Sequence, residues 1–130
     1  MKEKILSVQV LCDEFCPEVR SKKMRVVLVP FTGEAFGPYF NGKIIGPGVD
    51  TQKFSGEHEM VLSARYMLEG KDHTGQKCRI FIENTLHDEN GWHPIIVTDS
   101  QALAEWEDIP LSATVDGAPG GVLVQIYKEA

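Results

Sequence analysis

Along most of this chain apolar side chains recur at every second residue, in short runs broken by clusters of glycine, proline, asparagine and aspartate. No apolar stripe at helical spacing persists for three turns. Because side chains alternate across a strand and follow a period of about 3.6 in a helix, this pattern admits only a sheet-dominated fold. Strands are expected at Ile5–Cys12, Met24–Phe31, Glu57–Leu68, Lys77–Leu86, Trp92–Thr98, Ile109–Val115 and Val122–Lys128, with one helical turn within Ser100–Trp106. The run Val26-Val27-Leu28-Val29 is nearly continuously apolar, as in a strand covered on both faces. Pro94 cannot donate to a ladder and puts its strand near an edge or at a bulge.

Between Thr32 and Asp50 stand Gly33, Gly37, Gly42, Gly46 and Gly48, with Gly-Pro pairs at 37–38 and 46–47. Such density asks for bends, and Asn41-Gly42 between apolar flanks is a two-residue hairpin signal. The glycine spacing matches neither a dinucleotide nor a P-loop fingerprint. About eight short strands with many corner glycines favour a closed antiparallel β-barrel, lipocalin-like, since closure removes exposed edges.

The chain has 130 residues, which fits one barrel domain spanning 1–130. A chain of that size buries about two thirds of its unfolded surface, enough for a core without staples. Apolar residues are 42% and charged residues 25% of the total, which excludes disorder as the main state. No apolar run approaches the roughly 20 residues of a membrane span, and the start, Met1-Lys2-Glu3-Lys4, carries no export signal. The net charge of −6 argues against nucleic acid and anionic membranes as partners. Three cysteines, Cys12, Cys16 and Cys78, form an odd set suited to reduced thiols in a cytoplasm. The Cys12-x3-Cys16 spacing lacks the two further ligands of a tetrahedral site, and no metal or other cofactor is expected.

Polar residues within apolar strands are where chemistry would sit. One face of the 61–68 strand carries Val61, Ser63, Arg65 and Met67; the other carries Leu62, Ala64, Tyr66 and Leu68. On the returning strand either Glu83 or Asn84 must point inward. Arg65 is read either as half of a solvated pair with Glu83 or as an inward fork for a ligand carboxylate or carbonyl. Asp50 serves an Asx turn or accepts a proton from a ligand. Phe36, Tyr39, Phe81 and Trp92 are candidate apolar walls. His58 and His73 offer no cluster, whereas His87, Asp88 and His93 surround one turn, as surface residues or a proton relay. No Gly-x-Ser-x-Gly elbow is present.

The ordered series Thr32-Gly33, Gly37-Pro38, Asn41-Gly42, Gly48-Val49-Asp50, Ala64-Arg65-Tyr66 and Thr74-Gly75 resembles the uncharacterised family known as domain of unknown function 3237, along nearly the whole chain. Gly37, Pro38, Gly42, Gly48, Asp50, Arg65 and Tyr66 match its pattern. Glu34 replaces a usual glycine, and Thr51 a usual tryptophan whose loss would enlarge the space it fills. The resemblance implies a lipocalin-like barrel, a homo-oligomer and no activity common to the family. Two readings follow: a barrel holding a small, partly apolar organic molecule near Asp50, Arg65, Tyr66, Glu83, Asn84 and Trp92, as a binder or an acid–base isomerase or cyclase, or a filled barrel acting as a structural subunit.

Overall fold

A computed structural model describes residues 1–56, 59–87 and 91–129. Nine strands follow one another among the described residues: β1 (Lys2–Cys12), β2 (Glu18–Arg20), β3 (Met24–Phe36), β4 (Phe40–Ser55), β5 (Glu59–Asp72), β6 (Lys77–His87), β7 (Trp92–Thr98), β8 (Leu111–Ala118) and β9 (Gly121–Glu129). Among the described residues a single 3₁₀ turn, Ala104–Glu107, lies between β7 and β8. Neighbours pair antiparallel in the order β1-β9-β8-β7-β6-β5-β4-β3, and β1 pairs with β3 to close an eight-stranded barrel. The short β2 is an extra strand on the first half of β3, the second half of which carries β1. No described helix is long and apolar enough to cross a membrane.

Glycines sit where strands must bend or nearly touch. Gly46, at φ +64°, lies in the irregular stretch between Ile45 and Val49 that kinks β4 without ending it. Asn41-Gly42 is therefore not a hairpin turn. It lies inside β4, where a Cβ on Gly42 would collide with the Glu69 carbonyl, and the β3–β4 turn is instead at residues 37–39. The expected pair of short corner strands is one long kinked strand. The segment Asp13–Lys23, which falls between two of the expected strands, contains β2.

Inward positions follow one parity on each strand, apart from the irregularity between Lys4 and Leu6 of β1. Leu68, Ile80, Ile82 and Ile126 are fully buried together with Phe40, Ile5 and Leu6, in the barrel half that ends at the 3₁₀ turn. Each buried Leu or Ile contributes about 1.5–3 kcal/mol. Leu103 and Trp106 of the turn region are buried, and Trp106 meets Tyr39 edge to face at 6.1 Å, plugging that end. Asp72 holds the plug down. Its Oδ2 accepts from Ser100 Oγ at 2.7 Å, its Oδ1 accepts from the Thr74 and Gln76 amides, and Ser100 Oγ in turn accepts from the Leu103 amide. The first half of β3 is not covered on both faces: Met24 and Leu28 are exposed on the outside, and only Val27, Val29 and Phe31 turn inward.

Candidate functional site

Above this solid half the lumen is hollow. A cavity of about 250 Å³ receives side chains from all eight barrel strands. Its floor is Phe31 against Tyr66, ring centroids 5.5 Å apart at 73°. The Phe31 ring lies over Gly48, where a Cβ would strike it and come within 2.9 Å of Tyr66 Cβ. The walls are mainly Val10, Val29, Leu62, Val115, Val122 and Val124, with Ala64 opening space between them. Cys12, which is exposed, and the half-buried Trp92 and Gln52 form the rim.

Three polar groups interrupt this apolar lining at depth. Asp50 lies mid-strand, opposite Val29 on one side and Ala64 on the other, so it makes no Asx turn. Its Oδ2 accepts from Gln52 Nε2 at 2.9 Å, while Oδ1 is buried without a partner. Burial pushes its pKa above the ordinary carboxylate value, and the Gln52 hydrogen bond only partly opposes this. The Tyr66 hydroxyl, on a residue 5% exposed, has no partner, and burial pushes its pKa up. Asn84, 2% exposed, leaves Oδ1 unbonded. Asp50 and Asn84 both stand opposite Ala64, so the smallest wall residue separates the two amide and carboxylate side chains. Buried polar atoms are bonded in the great majority of cases, and these three orphans all belong to side chains that line one cavity.

Four of the six residues expected to bind a ligand, Asp50, Tyr66, Asn84 and Trp92, line this cavity. Arg65 and Glu83 do not. They occupy the opposite parity, face outward, and form a salt bridge of 2.8 Å with the Arg65 side chain 61% exposed. The inward fork is thus corrected to the solvated cross-strand pair. Of the expected walls only Trp92 belongs to the cavity. Phe36 is exposed, Tyr39 belongs to the plug, and Phe81 pairs with Met67 on the outward parity. Thr51 also faces outward, between Leu28 and Ser63, so a tryptophan missing there does not enlarge the lumen. His93 and His73 are exposed, while His58, Asp88 and the His87 side chain lie outside the described residues. Phe31, Gln52 and Cys12 were not anticipated. Phe31 and Gln52 share inward parity with Val29 and Asp50, a signal available once either strand's facing is known.

No family model and no curated protein matches the chain. Solved structures do. A protein of unknown function from Clostridium acetobutylicum is 23% identical, with a TM-score of 0.82 over 100% of this chain and 97% of its own. A β-barrel-like protein from Acinetobacter baumannii is 14% identical, with a TM-score of 0.77 over 98% and 94%. An enzyme from Penicillium herquei is 14% identical, with a TM-score of 0.75 over 98% and 92%. At these identities the likeness is one of fold.

Proposed function

We propose that the hollow half of the barrel binds a small, partly apolar organic molecule carrying hydroxyl or carbonyl groups. The carrying observation is that three unpartnered buried polar atoms, Asp50 Oδ1, Tyr66 Oη and Asn84 Oδ1, belong to side chains that line an otherwise apolar cavity. The cavity volume of about 250 Å³ sits near the lower end of the roughly 300–1,000 Å³ typical of ligand pockets, which fits a single-ring or similarly small compound. Among the described residues the lining contains one carboxylate and no lysine, arginine or histidine, so neutral phenols, enols and hydroxyketones suit it better than carboxylates. Tyr66 would donate to a carbonyl, while Asp50 and Asn84 would accept from hydroxyls.

The same kit supports acid–base turnover as the finer reading. A carboxylate whose pKa is raised by burial is a stronger proton acceptor than an ordinary one, and Tyr66 is placed to stabilise charge developing on an oxygen. An isomerisation or cyclisation needs only such transfers. That a protein of the same fold is an enzyme supports the reading, and the ordered glycine motifs support placing the chain in the uncharacterised family it resembles.

Thermal melting against a panel of small phenols, ketones and carboxylates tests the binding. A ligand at a hundred times its dissociation constant stabilises by about 2.7 kcal/mol. Phenols and ketones are expected to raise the melting temperature of the wild type, and Ala64→Phe, which fills the cavity, is expected to remove the rise. Equal rises in both proteins, or none in either, would refute the proposal.

A further inference from the structure

The inner face of the sheet continues past the cavity as a lip. On β3 the parity that turns Phe31, Val29 and Val27 inward goes on to Arg25, and on β4 that of Asp50 and Gln52 goes on to Phe54, the ladder partner of Arg25. The strand β2 adds Glu18 opposite Val27 and Arg20 opposite Arg25. Directly opposed residues share a face, so these side chains stand one step beyond the cavity rim, where Arg20, Arg25 and Phe54 line an open cleft of about 370 Å³. The Arg25 guanidinium is fixed from two sides. Its Nε and Nη2 donate to Glu18 Oε2 and Oε1 at 3.1 and 3.3 Å, and its central carbon lies 5.3 Å from the centre of the Phe54 ring. The side chain is nevertheless 37% exposed, and a fork held in this way offers its remaining N–H groups at little further entropy cost.

Two arginines directly opposite one another destabilise a ladder unless negative charge lies between them. Glu18 supplies one such charge against two, and Arg25, then Arg20, hold its carboxyl below the ordinary pKa. The nearby carboxylate of β5, Glu59, stands opposite Ser55 on the outward parity and belongs to the outer face. A positive excess is left on the lip, and Lys22 and Lys23 of the adjoining turn add to it. The lumen below favours neutral groups, so the two spaces sort the ends of one molecule by charge. Resting on the reading of the lumen given above, we propose that the ligand is elongated, with a phenolic or carbonyl-bearing end in the lumen and an anionic end, carboxylate or phosphate, held by Arg20 and Arg25 at the lip. Val29, the ladder partner of Asp50, is four residues from Arg25. That is roughly 13 Å of strand, a length matched by a phenol ring carrying a short acid chain.

Calorimetric titration of the full chain with three probes built on one para-hydroxyphenyl ring and chain reads this: the pentanoate, the phosphate ester of the matching alcohol, and the pentanamide. The wild type is expected to bind an anionic probe at least about tenfold tighter than the amide. That preference falls toward parity in R20Q and in R25Q, and is kept in R65Q, whose side chain faces outward. Amide binding by a variant shows that it is folded, and the tighter of the two anions identifies the group the lip takes. Anions bound no better than the amide by the wild type, or a preference untouched by R20Q and R25Q, overturns the proposal and leaves the lumen reading standing. An anion that binds Ala64→Phe as tightly as the wild type is held at the lip alone, which also overturns it. Binding of none of the three removes the lumen reading and this inference with it.

Discussion

Asp50 is held in a place that disfavours its charge, and its neighbours only half compensate. Because its folded pKa is raised, the native state binds this proton more tightly than the unfolded chain does. Stability from this group is therefore greatest at pH values below the unfolded carboxylate pKa, about 3.9, and declines as pH rises through the folded pKa. Asp50→Asn should melt higher than the wild type at pH 7, with a gap that narrows toward pH 4 in a melting series. The same substitution should abolish any proton transfer while leaving the fold intact. Asp72 behaves in the opposite sense. The Ser100 hydroxyl, then Thr74 and Gln76, hold its pKa down to about 2, so its contribution is present above about 3.9 and is lost as pH falls toward 2. Ser100→Ala removes one partner of that carboxylate and one of the two acceptors of the Leu103 amide, the other being the Ser100 carbonyl. Denaturant unfolding should show a loss of about 1–3 kcal/mol at pH 7, and acid unfolding should begin at higher pH.

At the level of strands, β5 is laddered along most of its length to β4 and β6, whereas β7 and β8 meet at only one described pair, Trp92 with Ala113. Amides facing that seam should exchange with deuterium faster than those of β5, in a hydrogen-exchange measurement resolved by residue. Pro94, which has no N–H and was expected near an edge or at a bulge, instead lies in the interior strand β7, beside this weak seam. Gly48→Ala should push the Phe31 ring into the cavity at a cost of about 1–3 kcal/mol and lower ligand affinity. The alternation that announced the strands was legible because the period is a property of the backbone. Facing was harder. On β6 the run Cys78, Ile80, Ile82, Leu86 is far more apolar than Arg79, Phe81, Glu83, so its parity alone points Asn84 inward and Glu83 outward. On β5 Leu62, Ala64, Tyr66 and Leu68 outweigh a row containing Arg65, and a charge on the poorer face belongs outside. The kink at residues 46–48 shifts the β4 ladder, and an Asn-Gly pair inside a strand is indistinguishable in sequence from one in a turn.

For the molecule as a whole, the barrel is two structures in one: a solid half closed by Leu103 and Trp106, and a hollow half floored by Phe31 and Tyr66. The solid half supplies stability, which lets the other half keep unsatisfied polar atoms. The filled-barrel reading thus describes one end only. Neither the presence nor the size of the cavity could be read from the residue list, because Ala64 and Gly48 make room only through what stands opposite them. The most direct test is a high-resolution crystal structure of the chain with a phenol or ketone that raises its melting temperature. Density for that compound should fill the space above Phe31 and lie within hydrogen-bond distance of Asp50 Oδ1, Tyr66 Oη and Asn84 Oδ1. A compound bound elsewhere, with ordered water alone satisfying all three atoms, would contradict it.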